Sequence, residues 1–516
     1  MDATLMAKLP IRAKSFDEGL TEIQRMIRRY DPLSLLGAAL RYLYSPTKDR
    51  FEQASKQPWL IMLFVKWTFL DPLANSPLRR PSISQNEMLE LLQKVFDLTE
   101  NGSLPDEYED VRLFFRAVAY QQFFHQTESG LVDIARQELL FAKVPENHYF
   151  KTRFLNGTGV SVQDFLRLSF AVVASTKKSG PVLQRATLFG LCPAFTPMAV
   201  DAYLRTIAVE VEDLHRTLEE VDKDGRHPNE YLQQTPFLKF PFIKVRSEYW
   251  CVSPHVLERS LGHFIYDYLK RADVDGFNNA FGKSFEKYVG DWLSKSGLPT
   301  ANESELNLVL PGQGKVVDFI VADGDSNVLI DAKGVEMAQR GMVAFQRGDV
   351  RRATQTSLIK AFEQGHEVAA RIASMGGDHS VVRQRASTYL LAVTYKELYI
   401  GNGVTFAAVV GEAVLEKIRS KYAERHLIPV ENIYFLTIHE FEELMSLVAS
   451  EKIGLVEALE KAKKADSERM TQKFNFELHI HEWSKQLGRE QPLREILKSM
   501  VDEMRVAFPR HRQNPD

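Results

Sequence analysis

Apolar positions recur at three- and four-residue spacing through most of the first 235 residues, as in EYEDVRLFFRAVAYQQFFHQ. That spacing predicts one helix after another. Start signals punctuate the pattern. Ser84 with Glu87, and Ser161 with Asp164, have capping-box spacing. Thr196-Pro197 sets a cap residue before a first-turn proline and opens a helical segment expected to run to about Val221. The breaks are short and polar, such as SPTKDR and TENGSLPDE. The most apolar stretch, Trp59 to Leu70 (WLIMLFVKWTFL), is interrupted by Lys66 and is too short to span a bilayer, so it predicts a buried helix. No fixed-period repeat is present. Residues 1–235 therefore read as one all-α domain.

The texture changes near the polar stretch Gly225 to Asn229. Two short strand candidates follow, FLKFPFIKV and EYWCV, on either side of Arg246-Ser247, and Ser253-Pro254 opens a helix. Asp273 to Asn279 reads as a break, so residues 236–276 form a hairpin-and-helix linker. From 277 to 450 a helix (Ala280 to Ser296) leads into strand signals: Glu305 to Leu310, Lys315 to Ala322 and Val328 to Lys333. The last two flank a five-residue loop, Asp323 to Asn327, of the Asp-Gly hairpin kind. A long helix from Asp349 to Ser374, a strand at Tyr389 to Tyr395, a further helix and a strand at Ile433 to Ile438 complete the order α-β-β-β-α-β-α-β. Residues 451–516 read as a helical extension with a polar end, PRHRQNPD. The expected class is α+β multidomain: an all-α N-terminal domain, an α/β core and a helical tail.

Composition narrows the function classes. Hydrophobic residues at 44% and charged residues at 26% are the balance of a globular protein. A formal net charge of -3 excludes a polycationic nucleic-acid coat, so any nucleic-acid surface must be local. Cys192 and Cys251 share no C-x-x-C spacing, which argues against a disulfide framework or a Cys-rich zinc site and suits a reducing cytosol. The N-terminus MDATLMAKLPIRAKS has no apolar core of a signal peptide. The expectation is a cytoplasmic protein without membrane partners.

The chemistry concentrates in KVVDFIVA and VLIDAK. Asp318 and Asp331 each interrupt a strongly apolar strand, where an unpartnered carboxylate is costly and two together repel. A divalent cation with hard oxygen ligands removes both problems, which points to Mg²⁺, or Mn²⁺. Counted across a five-residue loop, the two residues fall within one pair of direct opposition, a gap that a bulge closes. Lys333 shares a strand face with Asp331 and can hold a water beside the cation. The carbonyl of Ala332 is a further candidate ligand. Gly334 leaves room for a bulky substrate backbone.

The set Asp318, Asp331, Ala332 and Lys333, D-x12-D-A-K, resembles the PD-(D/E)xK nuclease superfamily, the restriction-endonuclease-like fold. The resemblance covers about a third of the chain. It implies an αβββαβ core, with Glu286 in GKSFEKYVGDWL as the first-helix acid that completes the metal site. It implies Mg²⁺-dependent phosphodiester hydrolysis of nucleic acid, DNA favoured over RNA. In that reading Asp318, Asp331 and Glu286 bind metal and Lys333 orients the attacking water. Val317 stands where the superfamily's name-giving proline precedes the first aspartate. The helix after the motif offers Gln355 as a polar contributor. Arg351, Arg352 and Lys360, with Arg340 and Arg347 just before, are candidates for phosphate contact. The two-part build resembles bacterial anti-phage defence nucleases, with the N-terminal helical module binding a trigger, a partner protein or a second copy.

A competing reading is a non-catalytic nucleic-acid-binding or protein-interaction scaffold that keeps the fold. Other motifs fail. The Asp323 to Asn327 loop imitates an EF-hand but has Val328 in place of the glycine and Gly334 in place of the glutamate. Gly312-Gln313-Gly314-Lys315 lacks Walker spacing. His479-x-His481-Glu482 reads as a half-exposed polar strand.

Overall fold

The computed structural model describes residues 15–76, 78–101, 105–126, 131–222, 226–375, 379–424 and 427–507. Gly225, at the start of the expected boundary stretch, and the ending PRHRQNPD lie outside the described residues. The chain is α+β with two mixed sheets. It gathers into two compact units that interleave along the sequence rather than following the contiguous division into 1–235, 236–276, 277–450 and 451–516. The first unit takes residues 1–107, 121–129 and 170–260; the second takes 108–120, 130–169 and 261–516.

In the first unit the apolar stretch forms the helix Pro58–Leu70, buried along nearly all its length. Lys66 stays inside because its Nζ lies 2.8 Å from Asp222 Oδ2 and 2.7 Å from Glu230 Oε2. Glu230 also accepts from Trp67 Nε1 at 3.1 Å. A buried charge is tolerated only when paired in this way. The expected caps form at Ser84 with Glu87 and at Thr196. The expectation of an all-α region fails here. Strands β1 (Val182–Gln184) and β2 (Ala208–Glu210) join the hairpin β3 (Phe242–Val245) and β4 (Glu248–Cys251) in the order β1-β4-β3-β2. The segment expected to be helical to Val221 stops at Ile207, because Ala208 to Glu210 pairs in parallel with Phe242 to Lys244. Tertiary pairing overrides a local helical period over those residues.

The second unit is built on a five-stranded sheet in sequence order: β5 (Thr300–Asn302), β6 (Phe319–Asp323), β7 (Ser326–Lys333), β8 (Ser387–Thr394) and β9 (Ile433–Thr437). β5, β6 and β7 are antiparallel; β7, β8 and β9 are parallel. Helices α1 (Val274–Lys295), α2 (Glu303–Val309), α3 (Leu358–Ala373) and α4 (Ile438–Ala449) belong to the same unit. Val328 to Ile330 and Tyr389 to Val393 are fully buried. That is why β7 and β8 read as continuous apolar runs rather than alternating ones.

Several local expectations change. Glu305 to Val309 is helical, not a strand, and Leu310 caps its end in extended conformation. Asn302 Oδ1 accepts from the Glu305 N–H at 3.1 Å, and Glu305 accepts from the Asn302 N–H at 2.8 Å, a capping box that starts α2. The break expected over Asp273 to Asn279 shrinks to Asp273 itself, whose Oδ1 caps the Gly276 N–H at 3.0 Å so that α1 begins at Val274. The long helix after the motif is divided into Arg347–Thr354 and α3. His479 lies on the helix Phe476–Leu487 rather than on a strand, with Nε2 3.0 Å from Asp466 Oδ1. Among the described residues no helix is long and apolar enough to cross a membrane.

Candidate metal centre

The β6–β7 hairpin is tighter than its sequence suggests. Asp323 pairs with Ser326, so only Gly324 and Asp325 form the turn, with Gly324 at φ 57°. Glycine at the first central position meets the positive φ of a type II′ turn. The ladder ends with Phe319 opposite Ile330, and Asp318 lies just beyond it, its Oδ2 accepting from the Ala332 N–H at 2.6 Å and its carboxyl feeling the Asp331 charge. No bulge is needed. On the other side Asn302 pairs with Phe319, and Glu303, the first residue of α2, follows it. Glu303, Asp318 and Asp331 thus come from three neighbouring chain segments. Helix α1 adds Glu286. Phe281, Phe285 and Val289 bury one face of that helix and leave Glu286 half-buried at its edge. One carboxylate oxygen from each of Glu286, Glu303 and Asp318 lies within 4.8 Å of the others.

Asp331 is fully buried. Its Oδ2 lies 2.6 Å from Lys333 Nζ, and beyond that ammonium neither carboxylate oxygen has a hydrogen-bond partner. Burial pushes its carboxyl up, against the pull of Lys333. Asp318 is pushed up to about 7, by burial first and the Asp331 charge second. The Ala332 N–H, which donates to Asp318 Oδ2 at 2.6 Å, pulls it back down. Glu286 is raised by burial, then by Glu303 and Asp331. Carboxyls held above their ordinary range by burial, and for Asp318 and Glu286 by neighbouring carboxylates, gain from added positive charge.

The donor set fits a hard divalent cation. It is all oxygen, partly unpartnered and crowded. Adjacent oxygens on one octahedral Mg²⁺ are about 3 Å apart and opposite ones about 4 Å, so the three grouped ligand atoms, within 4.8 Å of one another, draw together by up to about 2 Å around it.

Lys333 is positioned from two sides. Its Nζ contacts Asp331 and donates to Gln364 Oε1 at 3.2 Å, while Gln364 Nε2 donates to the Val316 carbonyl at 2.6 Å. Gln364, buried on α3, is the polar residue that the helix after the motif brings to the lysine. Gln355 is exposed in the turn before that helix. Glu303 and Gln364 were both outside the sequence reading. The signal for Glu303 was the Asn302–Glu305 capping pair; for Gln364 it was the helical register of α3 against β7.

The basic residues divide. Arg351 Nε donates to the Val410 carbonyl at 3.2 Å, and Arg352 and Arg340 pair with Asp349. Arg347 bonds Glu109, Asp110 and the Ala408 carbonyl. Lys360 is exposed one helical turn before Gln364, and its charge acts on Asp331. The space above Gly334 is not open to substrate. A Cβ there would meet Phe281 Cδ1 at 2.7 Å, and the Gly334 carbonyl accepts from Tyr266 OH at 3.1 Å. No protein-family model, curated protein or solved structure matches this chain.

Proposed function

We infer that the second unit is a divalent-cation-dependent phosphodiesterase acting on nucleic acid, with DNA the favoured substrate and Mg²⁺ the favoured cation. The observation that carries this reading is the fully buried Asp331 carboxylate, close enough to Asp318 to raise its carboxyl, touching Lys333 and otherwise without a partner. The order α1, three antiparallel strands, α3 and a parallel β8 supports a restriction-endonuclease-like core, with α2 as an insertion between β5 and β6.

In this reading Asp318, Asp331 and Glu286 hold the cation, together with the Ala332 carbonyl. A cation bound there supplies an acidified water and polarises the phosphate. Lys333 keeps its proton at Nζ, anchored between Asp331 and Gln364. From that place it orients the attacking water and steadies the charge that develops on the phosphate oxygens. Burial of Asp331 keeps bulk water from competing for the ion. Lys360, on the rim, meets an incoming phosphate.

The test is cleavage of labelled DNA and RNA, single and double stranded, with Mg²⁺ or with EDTA. Wild type is expected to cut only with Mg²⁺, and Lys333→Ala to cut at least about 100-fold more slowly. Equal cleavage by the two proteins refutes the assignment.

A further inference from the structure

A cavity lies inside the first unit, built from residues that the candidate metal centre does not use. It measures about 330 Å³ counted with its mouth, near the lower end of small-molecule sites. One wall is a single face of the helix Pro58–Leu70, where Trp59, Met62, Leu63 and Lys66 fall at helical spacing. Gln121 and His125 supply a second wall, and Glu230 with the stretch Gln233 to Pro236 a third.

The charges around the cavity cancel. Lys66 reaches Asp222 and Glu230, and Arg226 reaches the same two carboxylates at 2.7 and 3.4 Å. Two cations and two anions are thus paired with one another. An incoming ion of either sign must break into a buried pair, which is costly. Burial, and then the nearby His255, push the His125 imidazole well below its ordinary range and keep it neutral. The cavity therefore selects an uncharged occupant.

The remaining groups select a flat one with a polar edge. His125 is 3% exposed, and its Nδ1 has no hydrogen-bond partner. A buried nitrogen left bare is destabilising, and a ligand group that meets it removes that cost. Gln121 and Gln233 each carry donor and acceptor on one planar amide, the pattern that matches the edge of a heterocyclic base. Gln121 Oε1 accepts from Gln122 Nε2 at 3.2 Å and keeps a second lone pair. Trp59 offers a half-buried ring, 6.2 Å from the imidazole, and Met62 a polarisable thioether. Both suit a π-system. A sugar lacks that face, and an aliphatic chain leaves the amides and Nδ1 bare.

We propose that this cavity is a binding site for one uncharged nucleobase, laid on Trp59 and hydrogen-bonded along its edge by Gln121, Gln233 and His125. The base arrives on a free nucleoside or unpaired in a strand. This site stands independently of the phosphodiesterase reading.

The experiment is calorimetric binding to the full chain in EDTA, with adenosine, guanosine, cytidine and uridine, and with short homopolymeric oligonucleotides of the same bases. Wild type is expected to bind at least one of them, one molecule per chain. His125→Phe keeps a ring and removes the bare nitrogen, so it should weaken binding about tenfold or more and melt no lower than wild type. Trp59→Leu should weaken binding about fivefold or more. A nucleoside that binds wild type and is lost in His125→Phe assigns the free molecule. An oligonucleotide that alone shows this response assigns a base in a strand. No binding by either, or binding that both variants keep, overturns the site.

Discussion

Replacing Asp318 with asparagine removes the charge and keeps the shape. The Asn Oδ1 can still accept from the Ala332 N–H that now holds Asp318 at 2.6 Å. The wild-type carboxyl titrates near 7 in the folded chain, against an ordinary value of 3.8. Because the folded value is the higher one, the associated stability is fully present below about pH 4 and is lost as pH rises through about 7. The difference corresponds to at most about 4 kcal/mol. The metal-free variant should therefore match wild type below about pH 4, gain less than half of this at pH 5, and be stabler by about 2–4 kcal/mol at pH 8. For a unit of this size that raises the melting temperature by about 5–10 °C. The assay is calorimetric melting in EDTA across this range, repeated with Mn²⁺. The ion should stabilise wild type at pH 8 and leave the variant nearly unmoved. A variant that melts at or below wild type at pH 8 in EDTA refutes the claim that Asp318 holds a costly charge.

Gln364→Ala should lower kcat for phosphodiester cleavage with little change in KM, because it frees the Lys333 ammonium without touching substrate; Gln355→Ala should leave both within about twofold. A KM effect without a kcat effect in Gln364→Ala would overturn the positioning role. Gly334→Ala should cost about 1–3 kcal/mol in urea unfolding, since the new Cβ meets the Phe281 ring at 2.7 Å. A neutral result would mean that the ring moves freely. Lys66→Met should destabilise the first unit by about 1–3 kcal/mol, because Glu230 loses its closest cation while Arg226 still reaches Asp222 at 2.7 Å and Glu230 at 3.4 Å. A stabler variant would show that the packed alternative wins there.

The candidate site of the second unit was legible because buried charge is rare in apolar strands. Asp318, Asp331 and Lys333 stand out of KVVDFIVA and VLIDAK for that reason alone, and the caps at Ser84 and Thr196 announce their helices through local hydrogen bonds. Partners fixed by tertiary register were not legible. Gln355 and Gln364 lie on the same segment, and only the packing of α3 decides which reaches Lys333. There Gly365 comes so close to β8 that a Cβ would sit 2.9 Å from Leu390. Glu303 was hidden because ELNLVL carries strand-like residues, and the capping box that makes it helical is a two-residue signal. β1 and β2 are three residues each, and their partners stand more than thirty positions away in the chain.

The interleaving of the two units governs how the protein can be cut into pieces. Arg136, from the segment 130–169, sends Nε and Nη2 to the two oxygens of Glu442 on α4, at 2.7 and 2.8 Å. Tyr288 OH on α1 adds a third bond to that carboxylate at 2.6 Å. A fragment that starts at residue 236 keeps Glu286, Glu303, Asp318, Asp331 and Lys333 but discards Arg136. It strands Glu442, fully buried, without its cation, a loss of about 3–5 kcal/mol. Inactivity of such a truncation would report a broken scaffold, not a missing activator. A dissection that respects the folded body must graft 108–120 and 130–169 onto the C-terminal portion or silence the first unit by point substitution.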